Sequence, residues 1–203
     1  HYFISDRSGD VAVLEVLDGK LHVYTGKDLP VAALANNLYA ESVKAFQSGT
    51  ARQFDAAAAA SPVQPSFGRF SALAGQVGNY AASGKTPEAF ALDALQTVRH
   101  PKFTQWQVVY DTAKPRIFLR RIVDETVREV DFATCDFAPQ ARAMAADLTK
   151  PGPLAWVECT TELNRTLVRE SYRKTPFLQH ITEEDRNRIA AFPDAFLPAV
   201  HAK

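Results

Sequence analysis

Among the side chains whose type allows them to hold negative charge are those of Asn36 and Arg69. Asn36, within Leu34-Ala35-Asn36-Asn37, carries a side-chain amide whose N–H groups can donate to a developing oxyanion. Arg69, within Phe67-Gly68-Arg69-Phe70, carries a planar, permanently charged guanidinium that can hold two acceptors at once. Beside a thiol, such a group favours the thiolate, the reactive form. Each residue also has a plainer reading. Asn36 could end a strand and cap a helix starting near Tyr39, and Arg69 could be a surface arginine at a helix start, where it meets the positive end of the macrodipole.

Other reactive side chains form weaker patterns. His22, His100, His180 and His201 do not pair at metal-ligand spacing. Asp6 and Asp10 flank Ser8-Gly9, which reads as a turn launching a strand, with a cation held by the two carboxylates as the alternative. Cys135 and Cys159 sit in apolar surroundings without Cys-x-x-Cys or Cys/His spacing, so buried inert thiols are expected and a disulfide is the alternative. Thr182-Glu183-Glu184-Asp185 reads as a solvated, capped helix start, and no glycine-rich phosphate loop occurs.

The elements that must position these residues follow from periodicity. Residues 10–24 are apolar and imperfectly alternating, broken by Asp18-Gly19, and predict a β-hairpin. Residues 31–35 predict a further strand, with Pro30 at its start. A helical pattern begins at Tyr39 and ends near Gly49. The alanine-rich segment 51–65 predicts a linker or surface loop. A second helix is expected over 67–83, with Phe70, Leu73, Ala74 and Val77 on one face and Gly84 as its stop. Thr86-Pro87-Glu88 opens a third helix, with Thr86 as N-cap. Three strands over 104–111, 116–122 and 126–132 form an antiparallel meander by the simplest connection. Helices are expected over 141–148, 163–173 and 185–192.

Strands, helices, strands and helices in that order predict an α+β arrangement, antiparallel sheet covered by helices. Its 203 residues are 46% hydrophobic and 23% charged, an ordinary globular composition. Twenty-three basic residues balance 23 acidic ones, so no overall field draws the chain to nucleic acid or an anionic membrane. No apolar run is long enough to span a bilayer. Met144 is the only methionine, so the expectation is a processed or excised piece.

The order of Ser5-Asp6-Arg7-Ser8-Gly9-Asp10, an apolar strand, Asp18-Gly19-Lys20 and Leu34-Ala35-Asn36-Asn37 resembles the choloylglycine hydrolases, the family of bile salt hydrolases and penicillin V acylases. The likeness continues through Phe67-Gly68-Arg69-Phe70, the Gln105-Trp106-Gln107-Val108-Val109-Tyr110-Asp111 strand and Ile117-Phe118-Leu119-Arg120, and covers residues 1–137. It implies an N-terminal-nucleophile (Ntn) hydrolase fold, an αββα sandwich of antiparallel sheets covered by helices and incomplete at its N-terminus, with residues 1–203 as the C-terminal portion of one domain.

The resemblance also implies a chemistry. Members hydrolyse linear amides with an N-terminal cysteine whose own α-amine acts as base. Position 1 here is His, and the matching segment lies well inside family chains. The cysteine is therefore expected on a separate N-terminal segment or chain. Asn36 matches an asparagine of the family's oxyanion hole, although Ala35 and Leu38 replace the usual Thr and Pro. Arg69 matches an arginine that supports the thiolate. Substrates would be N-acyl amides such as penicillin V, conjugated bile salts or acyl-homoserine lactones, with no cofactor or metal and a homotetramer as the family habit. The competing expectation is a catalytically inactive binding or interaction module on the same fold. Compartment stays open.

Overall fold

Asp18 and Gly19 both take positive φ, 50° and 74°, as a two-residue hairpin turn requires. The turn joins β2 (Val11–Leu17) to β3 (Lys20–Tyr24), and β1 (Tyr2–Ser5) pairs antiparallel on the other side of β2. This computed structural model describes residues 1–50, 66–100, 103–138 and 141–191. The predicted linker over 51–65, His201 and the end of the last predicted helix lie outside the described residues.

Strand alternation gives the first sheet two unlike faces. Val11, Val13, Glu15 and Tyr24 share the inner face, where Val13 joins Leu29, Ala33, Tyr39, Phe70 and Ala74 in a buried cluster. Tyr2, Ile4, Val16, Leu21 and Val23 share the outer face and are exposed. The inner face is covered by α1 (Tyr39–Gln47) and α2 (Ser66–Gly78), which pack on one another. Aromatic edges knit the layer, with ring centroids 4.9 Å apart for Tyr24 and Tyr39 and 6.1 Å apart for Tyr39 and Phe70.

The predicted strand over 31–35 is not formed. The segment runs as an irregular loop whose apolar side chains, Val31, Ala33, Leu34 and Ala35, still enter the core. Among the described residues no neighbouring strand meets its backbone; instead the Tyr39 hydroxyl donates to the Val31 carbonyl at 2.8 Å and accepts the Val31 N–H at 3.3 Å. The second helix is shorter than expected. It ends at Gly78, a 3-10 turn follows at Tyr80–Ala82, and Val77 is exposed while Phe70 and Ala74 are buried.

Helix α3 (Pro87–Thr97) starts where Thr86-Pro87 predicts, but Thr86 makes no side-chain cap bond. The expected meander is present as β4 (Trp106–Asp111), β5 (Arg116–Arg121) and β6 (Val127–Asp131). Arg120 ties this sheet to α3: its guanidinium bonds the Gln107 side chain at 2.7 and 2.9 Å and the carbonyl of Leu92.

The chain divides into two compact units, His1–Ala133 and Thr134–Lys203. In the second, the helix predicted over 141–148 is replaced by a strand, β7 (Met144–Ala146), paired with β8 (Trp156–Glu158). Its helices are α4 (Thr161–Lys174), N-capped by Thr160, and α5 (Glu183–Ala190), N-capped by Thr182. Asn164 of α4 donates to the Ala190 carbonyl at 2.8 Å, satisfying an end of α5 that has no partner within the helix.

Candidate functional site

Asn36 lies in the loop that enters α1, and Arg69 lies in the first turn of α2. Asn36 is exposed and Arg69 is half-buried. A hydrogen bond joins the two segments: the backbone N–H of Asn37, next to Asn36, donates to the Ser66 hydroxyl at 2.8 Å. Ser66 opens α2 one turn before Arg69. Twenty-nine residues of sequence separate the bonded pair. The loop of Asn36 and the helix start of Arg69 are thus held together by a specific contact.

Further contacts hold the loop on the α1 side. Glu15 on β2 is 1% exposed, and its Oε1 accepts the backbone N–H of Tyr39 at 2.9 Å. Leu38 occupies the N-cap position and has no side chain able to accept, so Glu15 does from a distant strand what a local Ser or Asp does elsewhere. A negative charge suits the positive end of the helix. The Leu38 carbonyl accepts both the N–H and the hydroxyl of the buried Ser42, at 3.0 and 2.9 Å. The plainer reading of Asn36 as helix cap is not what the structure displays: the first N–H of α1 goes to Glu15.

A buried carboxylate, Glu15, lies beside this loop. His1 Nδ1 lies 3.3 Å from Glu15 Oε1, while Glu15 Oε2 is buried and, among the described residues, accepts no hydrogen bond of ordinary length. Taking a carboxylate out of water costs several kcal/mol unless its lone pairs are met. Burial raises the pKa of the Tyr24 phenol above its ordinary value, and the nearby Glu15 charge adds to the rise. Tyr39 is also raised, chiefly by burial, against the opposing effect of its bond to Val31.

Glu15, Tyr39 and Ser66 escape sequence reasoning. One signal was available for Glu15: Val11, Val13 and Glu15 alternate onto one face, so the carboxylate falls on the apolar side of the strand. The other candidates resolve simply. Asp6 Oδ1 accepts the Ser8 hydroxyl at 2.7 Å and the Ser8 and Asp10 N–H groups at 2.9 and 3.0 Å, the turn arrangement, and its pKa is lowered first by the Ser8 hydroxyl. Among the described residues, no group of three or more His, Cys, Asp or Glu could hold a metal ion. Cys135 and Cys159 are not joined in a disulfide and are half-buried rather than fully buried. No described helix is long and apolar enough to cross a membrane.

The fold is a mixture of helices and antiparallel sheets. It is similar to a solved structure of penicillin V acylase from Agrobacterium tumefaciens, with a TM-score of 0.54 and 18% sequence identity. The likeness covers 78% of this chain and 50% of the acylase, so the chain matches half of that enzyme's length. No protein-family model matches the chain, and no curated protein does so significantly.

Proposed function

We propose that this chain is the portion of a linear-amide hydrolase that carries the oxyanion donor and the arginine. Its substrates would be N-acyl compounds such as penicillin V, conjugated bile salts or acyl-homoserine lactones. The nucleophile would be a cysteine on a polypeptide segment outside this chain. The observation that carries the reading is the Asn37–Ser66 bond, which ties the loop of Asn36 to the helix of Arg69 on an acylase-like fold.

In this reading the cysteine thiolate attacks the acyl carbonyl carbon, and the carbonyl π electrons move to oxygen. The Asn36 side-chain N–H donates to that oxyanion, which exists only near the transition state. The C–N bond breaks, the amine leaves with the proton that the cysteine's α-amine had taken from the thiol, and water hydrolyses the thioester to release the acid and restore the thiol. Arg69 stabilises the attacking thiolate. The exposed outer face of the first sheet supports a second polypeptide as its cover.

The same face favours one rival, an interaction module without turnover. Hydrolysis of penicillin V and glycodeoxycholate by a preparation containing both polypeptides separates the two. Turnover is expected, and Asn36→Ala should lower it by about 10²–10³-fold, as loss of an oxyanion donor does. Arg69→Ala should lower it strongly as well, with the fold retained. Full activity in both variants would remove these site assignments, and absence of turnover would leave the module.

A further inference from the structure

Glu15 is a buried charge that the proposed reaction does not use. A valine or leucine at this place on β2 would fit the alternation of the strand, yet the chain buries a carboxylate there at 1% exposure. Only one of its oxygens has a hydrogen-bonding partner among the described residues. That oxygen, Oε1, lies 3.3 Å from His1 Nδ1 and accepts the Tyr39 N–H at 2.9 Å, which is the first backbone donor of α1 and lies three residues after Asn36.

The 31–38 loop is fixed at three points. Its start is held where the Tyr39 hydroxyl meets both backbone groups of Val31. Its middle is held by Asn37 on Ser66. Its end is held by Tyr39 N–H on Glu15. Two of the three contacts depend on where Tyr39 sits, and Glu15 is the group that fixes the Tyr39 backbone to the sheet. An oxyanion donor works only when its N–H is preset where charge develops, and a displacement of about 1 Å can cost about 10²-fold in rate.

We propose that Glu15 is a positioning residue for Asn36, pinning the start of α1 to β2 so that the loop presents its amide in one place. The inference rests on the reading of Asn36 given above. It acts through Tyr39 and requires no contact between Glu15 and substrate. What matters is an acceptor oxygen at that point; the charge adds through the helix end.

The test has two readouts. In this chain alone, hydrogen exchange of the Asn37 and Tyr39 amides should accelerate at least 10-fold in Glu15→Leu, which fills the space but accepts nothing, and stay near wild type in Glu15→Gln, which keeps the oxygen. In the two-polypeptide preparation, Glu15→Leu should lower kcat by about 10–10²-fold at nearly constant KM, and Glu15→Gln should restore most of it. Should leucine prevent folding, Glu15→Asp, which draws the carboxylate back by one methylene, is expected to show the same signs more weakly. Unchanged exchange at Asn37 and Tyr39 overturns the proposal. So does normal kcat in Glu15→Leu when Asn36→Ala has lost turnover, and in that case the proposed function stands. Full turnover in Asn36→Ala instead removes the site reading and the role of Glu15 with it.

Discussion

The phenolic oxygen of Tyr39 lies 2.8 Å from the carbonyl oxygen of Val31 and 3.3 Å from its nitrogen. One side chain thereby supplies both the donor and the acceptor that a neighbouring strand would otherwise give. The ring that carries this hydroxyl is 1% exposed and packs between Tyr24 and Phe70. Tyr39 therefore links core packing to the loop of Asn36.

Tyr39→Phe isolates the hydroxyl, since the ring and its packing remain. Two half-buried backbone groups at Val31 would lose their partner, and a group left unsatisfied costs about 1–3 kcal/mol. In urea the unfolding free energy should fall by about that 1–3 kcal/mol through a lower midpoint, with the slope unchanged because the same surface is exposed on unfolding. A midpoint equal to wild type would mean that the Val31 groups find other partners.

Alkaline pH offers a second check. Tyr24 and Tyr39 both have phenol pKa values raised above the ordinary value, with burial as the first cause in each. A raised folded-state pKa means that the neutral form is favoured by folding. Their contribution to stability is complete below the unfolded value of about 10 and is lost as pH rises from there through the folded values. In phenolate absorbance Tyr24 and Tyr39 should therefore ionise only above their ordinary value, together with loss of structure. Ionisation of these two tyrosines near 10 with the fold intact, read as phenolate absorbance lost in Tyr24→Phe and Tyr39→Phe, would contradict the packing described here.

The parts of the fold that depend on short-range chemistry were readable from the chain. Asp18-Gly19 needs two positive φ values, and Thr86-Pro87 admits few geometries besides a helix start. Where the outcome depends on distant partners, local pattern misleads. Residues 31–35 have the apolar character of a strand, but Tyr39 takes the backbone groups of Val31. The alanine-rich 141–148 segment has helical propensity, yet Met144–Ala146 pairs with Trp156–Glu158, and that pairing overrides it. The candidate site divides the same way. Asn36 and Arg69 are proposed from the order of motifs around them, whereas the contacts of Glu15 and Ser66 reach atoms 24 and 29 residues away and leave no local signal.

The outer face of the first sheet supplies the last prediction. Val16 and Leu21 face each other across β2 and β3, 64% and 62% exposed, with Tyr2, Ile4 and Val23 beside them. Single exposed apolar residues are ordinary, but a contiguous set on one sheet face marks a surface that meets something. If the cysteine-bearing polypeptide covers it, a lysine there would leave an unpaired charge in a dry interface. In the chain alone, the same lysine stays in water. Val16→Lys and Leu21→Lys should therefore change the stability of this chain by no more than about 0.5 kcal/mol. The same substitutions should weaken its association with the second polypeptide at least 10-fold, and Val16→Ile should leave that association intact. Sedimentation of the mixture reads the outcome directly, and wild-type association in both lysine variants would show that the partner binds elsewhere.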